Sequence, residues 1–363
     1  MSLKCGVVGL PNVGKSTIFR ALTNSKAEIA NYPFCTIDPN TGMLIVPDLR
    51  LQTLTELFKS KKTTPTTVEI VDIAGLVKGA SEGEGLGNQF LSHIREVDTI
   101  CHVVRCFEDP NVVHVNGKVD PLADIFVIDT ELALKDLETL TKRVQKNDKL
   151  VNTDPLAKKN YPVYKKVKEG LEQGELVRHM SLTEDEALIV KDLNLLTSKP
   201  VLYVANVSES DLPEGGSYVN TVREFAKNEA TEVLVISGKF ECELADLPEN
   251  ERKEYLESMK LTISGKDRLI QEVYKALGLL TFLTAGEKEA RAWTVRKGST
   301  APQAAGMIHS DFERGFISAE VLSFEDLKKC GSFSEAKHKG LLRLEGKTYI
   351  VQDGDVCLFR FSV

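Results

Sequence analysis

No C-x-x-C pair occurs among the seven cysteines of this chain (Cys5, Cys35, Cys101, Cys106, Cys242, Cys330 and Cys357), and their number is odd. A zinc knuckle and a disulfide framework are therefore left without support, and reduced thiols are the simple reading. No apolar run approaches the roughly 18–20 residues of a membrane span, and the N-terminus lacks the apolar core of a signal peptide. Low-complexity tracts and internal repeats are missing too. Positive charge is not in excess. The net charge of −7 argues against global steering toward nucleic acid and leaves local basic patches open. These absences predict a soluble, cytoplasmic protein, with a monomer as the plain default. What is present is 363 residues, 42% hydrophobic and 27% charged, ordinary for a globular protein and long enough for two or three domains.

The chain is organised around Val8-Gly9-Leu10-Pro11-Asn12-Val13-Gly14-Lys15-Ser16, which fits G-x-x-x-x-G-K-[ST]. Lys4 to Gly9 reads as a short buried strand, and Ser16 to Asn24 as a helix with apolar Ile18, Phe19 and Leu22. A strand, a glycine loop and a helix N-terminus aim backbone N–H groups and a positive dipole at one point. A triphosphate is the natural occupant. Gly9 and Gly14 permit the tight path, Lys15 reaches the β/γ-phosphates and Ser16 ligates Mg²⁺. Asn12, Val13, Gly14, Lys15, Ser16 and Thr17 are the expected phosphate contacts.

Asn31 to Asn40 is a loop rich in turn formers, and its Thr36 is the candidate to close over the γ-phosphate and Mg²⁺. Thr67 to Ile73 reads as a strand ending in Asp72-Ile73-Ala74-Gly75. Asp72 there holds Mg²⁺ through its water shell, and the Gly75 N–H senses the γ-phosphate. Many GTPases place a glutamine next to orient the attacking water, whereas this chain has Leu76. Hydrolysis is then slow, or its catalytic group comes from elsewhere. The glycine-rich Gly79–Gly87 segment is expected to move without ligand. It leads to a helix from about Asn88 to Arg95. Thr99 to Phe107 is a strand, followed by a polar loop carrying His114. A loop histidine is ordinarily solvated; the sharper alternative is acid–base catalysis.

From about Ile128 the period becomes helical. Thr130 to Lys149 places Leu134, Leu137 and Val144 on one stripe, and Asp154 to Gln173 does the same with Val163, Val167 and Leu171. Ser181 to Glu186 resembles a helix start. Residues 128–198 read as a helical hairpin inserted into a nucleotide-binding domain made of 1–127 and 199–277. Pro200 to Asn206 is a buried strand ending in Asn206-Val207-Ser208-Glu209, where a GTPase has N-K-x-D. The GTPase aspartate accepts from a guanine ring N–H and from its amino group. Adenine offers neither in that geometry. With Val207 for lysine and Glu209 for aspartate, adenine or relaxed specificity is favoured. Val233 to Ser237 is the last strand, with Gly238-Lys239 as a loop covering the base and a helix from Asp267 to Leu277. Residues 278–363 form a small α+β module. Arg291 to Val295, Thr348 to Val351 and Val356 to Phe361 look strand-like, Phe324 to Lys328 looks helical, and the lone Trp293 reads as core packing.

Together these stretches resemble the Obg-like ATPase (YchF) family over the whole chain. The match runs through Gly9 to Thr17, Asn31 to Thr36, Asp72 to Ala80, Gly83 to Asn88, Asn206 to Glu209, Arg291 to Thr294 and Thr300 to Gly306. The resemblance implies an α/β P-loop NTPase (G domain) with an inserted coiled-coil hairpin and a C-terminal β-grasp TGS domain. It also implies ATP in preference to GTP, Mg²⁺, and association with ribosomes, with RNA contact through the TGS and helical domains. The family's proposed catalytic histidine falls on His114. Asn12 matches an asparagine that holds K⁺ in related hydrophobic-substituted GTPases, which adds K⁺ as a candidate cofactor.

The leading expectation is a slow ATP-hydrolysing switch in which His114, Lys15 and Gly75 act on the γ-phosphate and Asn206, Val207, Glu209 and Ser237 surround the base. Ser16, Thr36 and Asp72 are its expected metal residues. The alternatives are a GTPase with a tolerant base pocket and a ribosome- or RNA-binding adaptor whose nucleotide is mainly structural.

Overall fold

Lys4–Val8 (β1), Thr99–Arg105 (β5) and Val201–Asn206 (β6) are buried at nearly every position. Continuous apolar strands of this kind suit a parallel sheet covered on both faces. The computed structural model describes residues 3–23, 40–73, 86–115, 117–229 and 231–362. In it these strands form the centre of a six-stranded sheet of order β2-β4-β1-β5-β6-β7, with β2 Thr41–Ile45, β4 Thr67–Asp72 and β7 Val233–Ile236. The β4–β1, β1–β5, β5–β6 and β6–β7 pairs are parallel. Strand order reverses beside β1, and in open α/β sheets ligands bind at the carboxyl ends of the strands at such a point.

Contacts divide the chain into two units: residues 1–43 with 69–269, and residues 44–68 with 270–363. In the first unit, Lys15–Thr23 (α1) follows β1, and Leu86–Glu96 (α3) precedes β5. The long helix Pro121–Leu150 (α4) begins well before the expected Thr130, because Asp120 caps it by accepting from the Ala123 N–H at 3.2 Å and Pro121 opens it. Its buried stripe also differs from the expected one. Ile125, Ile128, Leu132 and Leu140 are buried, whereas Leu134 is 43% exposed. Pro155–Glu172 (α5), capped by Asp154, lays Val163, Val167 and Leu171 against Leu140. Glu184–Lys191 (α6) starts with a capping box between Thr183 and Glu186. Ser217–Asn228 (α7) then separates β6 from β7. Gly238-Lys239, expected as loop, opens a helix, Gly238–Asp246 (α8), capped by Ser237. Glu249–Ser258 (α9) and Gly265–Ala276 (α10) follow, the latter close to its expected limits.

The second unit carries a sheet of order β11-β10-β12-β8-β9-β3. Its strands are Thr63–Thr64 (β3), Leu279–Ala285 (β8), Ala290–Arg296 (β9), Phe316–Ser323 (β10), Arg343–Glu345 (β11) and Asp355–Phe361 (β12). Its two apolar clusters separate cleanly. Phe282, Val295, Ala304, Val321 and Phe359 form one, while Leu51 and Leu54 of the helix Leu49–Phe58 (α2) join Leu283, Leu322 and Leu327 in the other. Residues 300–314, which carried no helical expectation, form Ala301–Ile308 (α11) and Ser310–Arg314 (α12). Phe324–Cys330 (α13) is helical as expected. Thr348 to Val351 is not a strand and contributes one bridge, Ile350 to Thr300. Among the described residues no helix is long and apolar enough to cross a membrane.

Candidate nucleotide-binding site

The loop between β1 and α1 is shaped by two close approaches. A side chain at Gly9 would come within 2.6 Å of the Val103 carbonyl oxygen on β5, and one at Gly14 within 2.1 Å of the Asn206 amide nitrogen. Gly14 also adopts φ of 91°, and Asn12 a φ of 62°. The Gly14 carbonyl accepts the Ile18 N–H at 3.0 Å, so helical bonding begins at the loop itself. Ser16 and Thr17 are exposed on the first turn. Helix N–H groups without an intrahelical partner point out of such a terminus and suit an anion.

Parallel register does the rest. Val7 pairs with Asp72, which brings the end of β4 beside the loop. The buried Lys15 Nζ lies 2.5 Å from Asp72 Oδ1. A buried ammonium needs a counter-charge, and Asp72 supplies it.

On the other side of the loop, Asn206 ties three segments together. Its Nδ2 donates to the Val13 carbonyl at 2.8 Å, and its Oδ1 accepts from the Gly238 N–H at 3.0 Å. Val207 is buried and donates its N–H to the Ile236 carbonyl at 2.9 Å. Ser237 is buried, and its Oγ accepts from the Phe240 N–H. The Glu209 carboxylate accepts from the Tyr255 hydroxyl at 3.1 Å. Lys15, Asp72, Gly14, Asn206 and Ser237 thus meet at one end of the sheet. Thr36, Gly75 and Leu76 lie outside the described residues.

His114 departs from expectation. It is 5% exposed rather than solvated, and its Nε2 lies 2.9 Å from Asp124 Oδ2 in the first turn of α4. Burial pushes the Asp124 carboxyl above its ordinary range, and the His114 hydrogen bond opposes the rise. Asp124 Oδ1 has no hydrogen-bond partner among the described residues. Burial, with the Asp124 charge adding, pushes the neighbouring Cys106 thiol up to about 12, so it stays protonated. The loop is held at two further points. Asn12 Nδ2 donates to the Val113 carbonyl at 3.1 Å, and the fully buried Arg105 donates to the carbonyls of Phe107 and Val112.

Sequence reasoning missed Asp124, Arg105 and Tyr255. An arginine ending an otherwise apolar strand, Thr-Ile-Cys-His-Val-Val-Arg, was the available signal for Arg105. Asp124 and Tyr255 gave none, since a first-turn aspartate and a tyrosine on a charged helix are commonplace.

Of the candidate metal residues, Ser16 and Asp72 are described, and their chemistry suits a hard cation. Ser16 and Asp72 flank the same loop, and the Asp72 carboxylate has only a displaceable lysine as ion-pair partner among the described residues. No cluster of three His, Cys, Asp or Glu forms a metal cage among the described residues. Mg²⁺ at phosphates ordinarily takes one or two protein ligands and keeps several waters.

Residues 4–151 match the family described as 50S ribosome-binding GTPase, and residues 279–362 match the YchF-type GTPase C-terminal family, described as a protein of unknown function. The chain is 55% identical to the ribosome-binding ATPase YchF of Bacillus subtilis (strain 168) and 51% identical to that of Escherichia coli O157:H7, each over 100% of both chains. The solved YchF GTPase of Schizosaccharomyces pombe superposes with a TM-score of 0.90 at 38% identity, covering 99% of this chain and 98% of that one. A P-loop G domain with a helical insert and a YchF-type C-terminal region, matched end to end at such identity, makes this chain a member of the YchF family.

Proposed function

We propose that this chain is a Mg²⁺-dependent P-loop nucleotidase that hydrolyses ATP in preference to GTP, slowly on its own, and acts as a nucleotide-controlled switch on the ribosome. The observation that carries the hydrolase reading is the Lys15–Asp72 pair seated under the N-terminus of α1, beside a glycine whose conformation leaves the cradle open. The loop N–H groups and Lys15 neutralise charge on the transferring phosphoryl group, where electrostatics carries most of the catalysis. Ser16, Thr36 and Asp72 would hold Mg²⁺, which supplies further charge neutralisation at the phosphates. Gly75 registers the γ-phosphate. His114 orients the water that Leu76 cannot, and for this its pair with Asp124 has to open. That requirement accords with a low intrinsic rate. Asn12 already uses its amide nitrogen on Val113, and its oxygen is the atom that would meet K⁺.

In this reading residues 1–127 and 199–277 bind nucleotide, residues 128–198 form an inserted arm, and residues 278–363 form the TGS domain. The arm and the TGS domain meet ribosomal RNA or protein, and the protein works as a cytoplasmic monomer. Ribosome association draws on the names of the bacterial relatives, ribosome-binding ATPases.

A GTPase with relaxed base specificity is the second reading, favoured by the description of the Schizosaccharomyces pombe relative as a GTPase. Equilibrium binding of fluorescent ATP and GTP analogues to the Mg²⁺-loaded protein separates the two. Tighter ATP binding, with a shift toward GTP when Val207→Lys and Glu209→Asp are combined, is the expected result. Tighter GTP binding by the unaltered chain would sink the ATPase reading.

A further inference from the structure

Glu209 does not stand alone at the base end of the site. Tyr255 on α9 places its hydroxyl 3.1 Å from Glu209 Oε1 and 3.0 Å from Glu243 Oε2. The tyrosine ring is fixed from behind. Its centroid lies 4.9 Å from that of the fully buried Phe240, in an apolar cluster with Leu244, Leu261 and Leu256. Phe240 sits on α8, which begins at the Gly238 N–H held by Asn206. One continuous set of packed groups therefore connects the base-reading asparagine, the cap of α8 and the hydroxyl that reaches Glu209.

A hydroxyl has a single proton, and here two carboxylates compete for it. Burial, reinforced by hydrogen bonds to Glu243 and Glu209, pushes the phenol up to about 12, so Tyr255 remains a donor near neutral pH. Guanine presents a ring N–H and an amino group side by side, and gripping both takes the two oxygens of one carboxylate. Oε1 of Glu209 spends one of its lone-pair sites on the hydroxyl, and that bond fixes the plane in which the carboxylate presents its oxygens. Adenine makes no such bidentate demand.

We propose that Tyr255 is a specificity-determining positioning residue: its hydroxyl holds Glu209 through Oε1 and keeps the carboxylate from turning into the plane that a bidentate grip on guanine requires. The proposal rests on reading Glu209 as the residue that faces the base. It predicts that selectivity against GTP comes from a residue outside the Asn206–Glu209 motif.

The test is a double-mutant cycle on the full Mg²⁺-loaded chain, with ATP and GTP dissociation constants measured for the unaltered protein, Tyr255→Phe, Glu209→Gln and the double variant. Tyr255→Phe keeps the ring against Phe240 and removes only the hydroxyl. It should tighten GTP about 5- to 10-fold, the scale of one freed hydrogen-bond acceptor, and leave ATP within about 2-fold. In the Glu209→Gln background the same change should alter neither nucleotide. An unchanged GTP-to-ATP ratio in Tyr255→Phe overturns the proposal. So does a shift that persists without the Glu209 carboxylate, because Tyr255 would then act through packing. Failure of the underlying ATPase reading looks different: the unaltered chain itself would bind GTP more tightly than ATP.

Discussion

Each of the two units is built on a six-stranded sheet, but they bury different chemistry. In the unit with the parallel sheet the buried polar side chains include Lys15, His102, Arg105, His114, Asp124, Asp129, Asp136, Asn206 and Glu241. In the C-terminal unit, among the described residues, only Thr281 and Asp355 are buried. The first unit is about twice as long, which does not account for so wide a gap. Buried charge is costly unless paired, so a fold that tolerates this much of it does so for a reason beyond stability. Much of it follows the strands that lead into the nucleotide site. His102 and Arg105 lie on β5, Asn206 ends β6, and Arg178 joins Asp129 of α4 to Glu229. The C-terminal unit reads as a packed scaffold, and the first as a scaffold with chemistry threaded through it.

The sharpest way to break this comparison is to damage each unit separately. Phe282 is fully buried, stacked on Trp293 and edge-on to Phe359. Phe282→Ala should cost about 3–5 kcal/mol of stability. In a urea titration it should lower the transition of the C-terminal unit, with nucleotide affinity of the folded protein held within about 2-fold. Lys15→Ala should do the reverse, cutting turnover by at least ~10²-fold with little change in the unfolding midpoint. His114→Ala should follow Lys15→Ala in turnover, by about 10²-fold, with nucleotide affinity nearly unchanged. If Phe282→Ala abolished nucleotide binding, the division of labour would be wrong.

The same division explains what the sequence made legible. The phosphate end could be read because its requirements are local: two glycines, a lysine and a hydroxyl within eight residues, after an apolar strand. The nearness of Asp72 to the loop is readable too, because parallel pairing of neighbouring strands is a rule of the fold class, but its ion pair with Lys15 is not. The surroundings of His114 were not. Its partner, Asp124, lies on a helix that begins at the Asp120-Pro121 cap, some nine residues ahead of the expected Thr130 start, because the leucine period that signals the helix sets in only later. Leu134 lies off the buried stripe for a related reason: polar Asp136, which accepts from the Leu196 and Thr197 N–H groups, takes the buried side that a count of leucine and valine alone does not show. In the C-terminal unit, short alternating strands and small helices rich in alanine carry weak periodic signals. Residues 44–66 carry no structural expectation, yet they supply α2 and β3 to that unit.

A smaller effect sharpens the comparison through pH. Burial, with the Arg178 charge adding, lowers His102 to about 3 from its ordinary 6.5, and its Nε2 has no partner among the described residues. Its ring faces Tyr203, with Arg178 and the carboxylates Asp129 and Glu229 close by. The unfolded chain takes up this proton below 6.5, whereas the folded chain does not until about 3. Stability is therefore lost as pH falls through that window, by ~1.4 kcal/mol per unit and about 2 kcal/mol by pH 5. The buried carboxyls Asp124, Asp129 and Asp136 are raised by burial and contribute with the opposite sign, losing stability as pH rises from 3.8 through their folded values. Comparing unfolding free energies of the unaltered protein and His102→Gln between pH 7 and 5 isolates the histidine. The variant should show the shallower loss, and parallel curves would mean that His102 is not the group responsible.

The smallest effect concerns the exception. Asp355 is the one buried carboxylate of the C-terminal unit among the described residues, and it accepts from the Tyr349 hydroxyl at 2.7 Å and the Gln352 N–H at 2.8 Å. Those donors belong to the turn between Gly346 and Asp355, and Arg343 on β11 lies 3.4 Å away. The carboxylate thus pins the turn that leads into β12, an interior strand of the sheet. Asp355→Asn keeps the shape but turns one accepting oxygen into a donor, which should cost about 1–2 kcal/mol. Calorimetry should detect that loss in the C-terminal unit, while ATP turnover and the ratio of ATP to GTP affinity stay unchanged. A change in turnover larger than the loss of folded protein would place Asp355 with the threaded polar groups of the first unit, and the contrast between the two sheets would then lie in the number of such groups rather than in their kind.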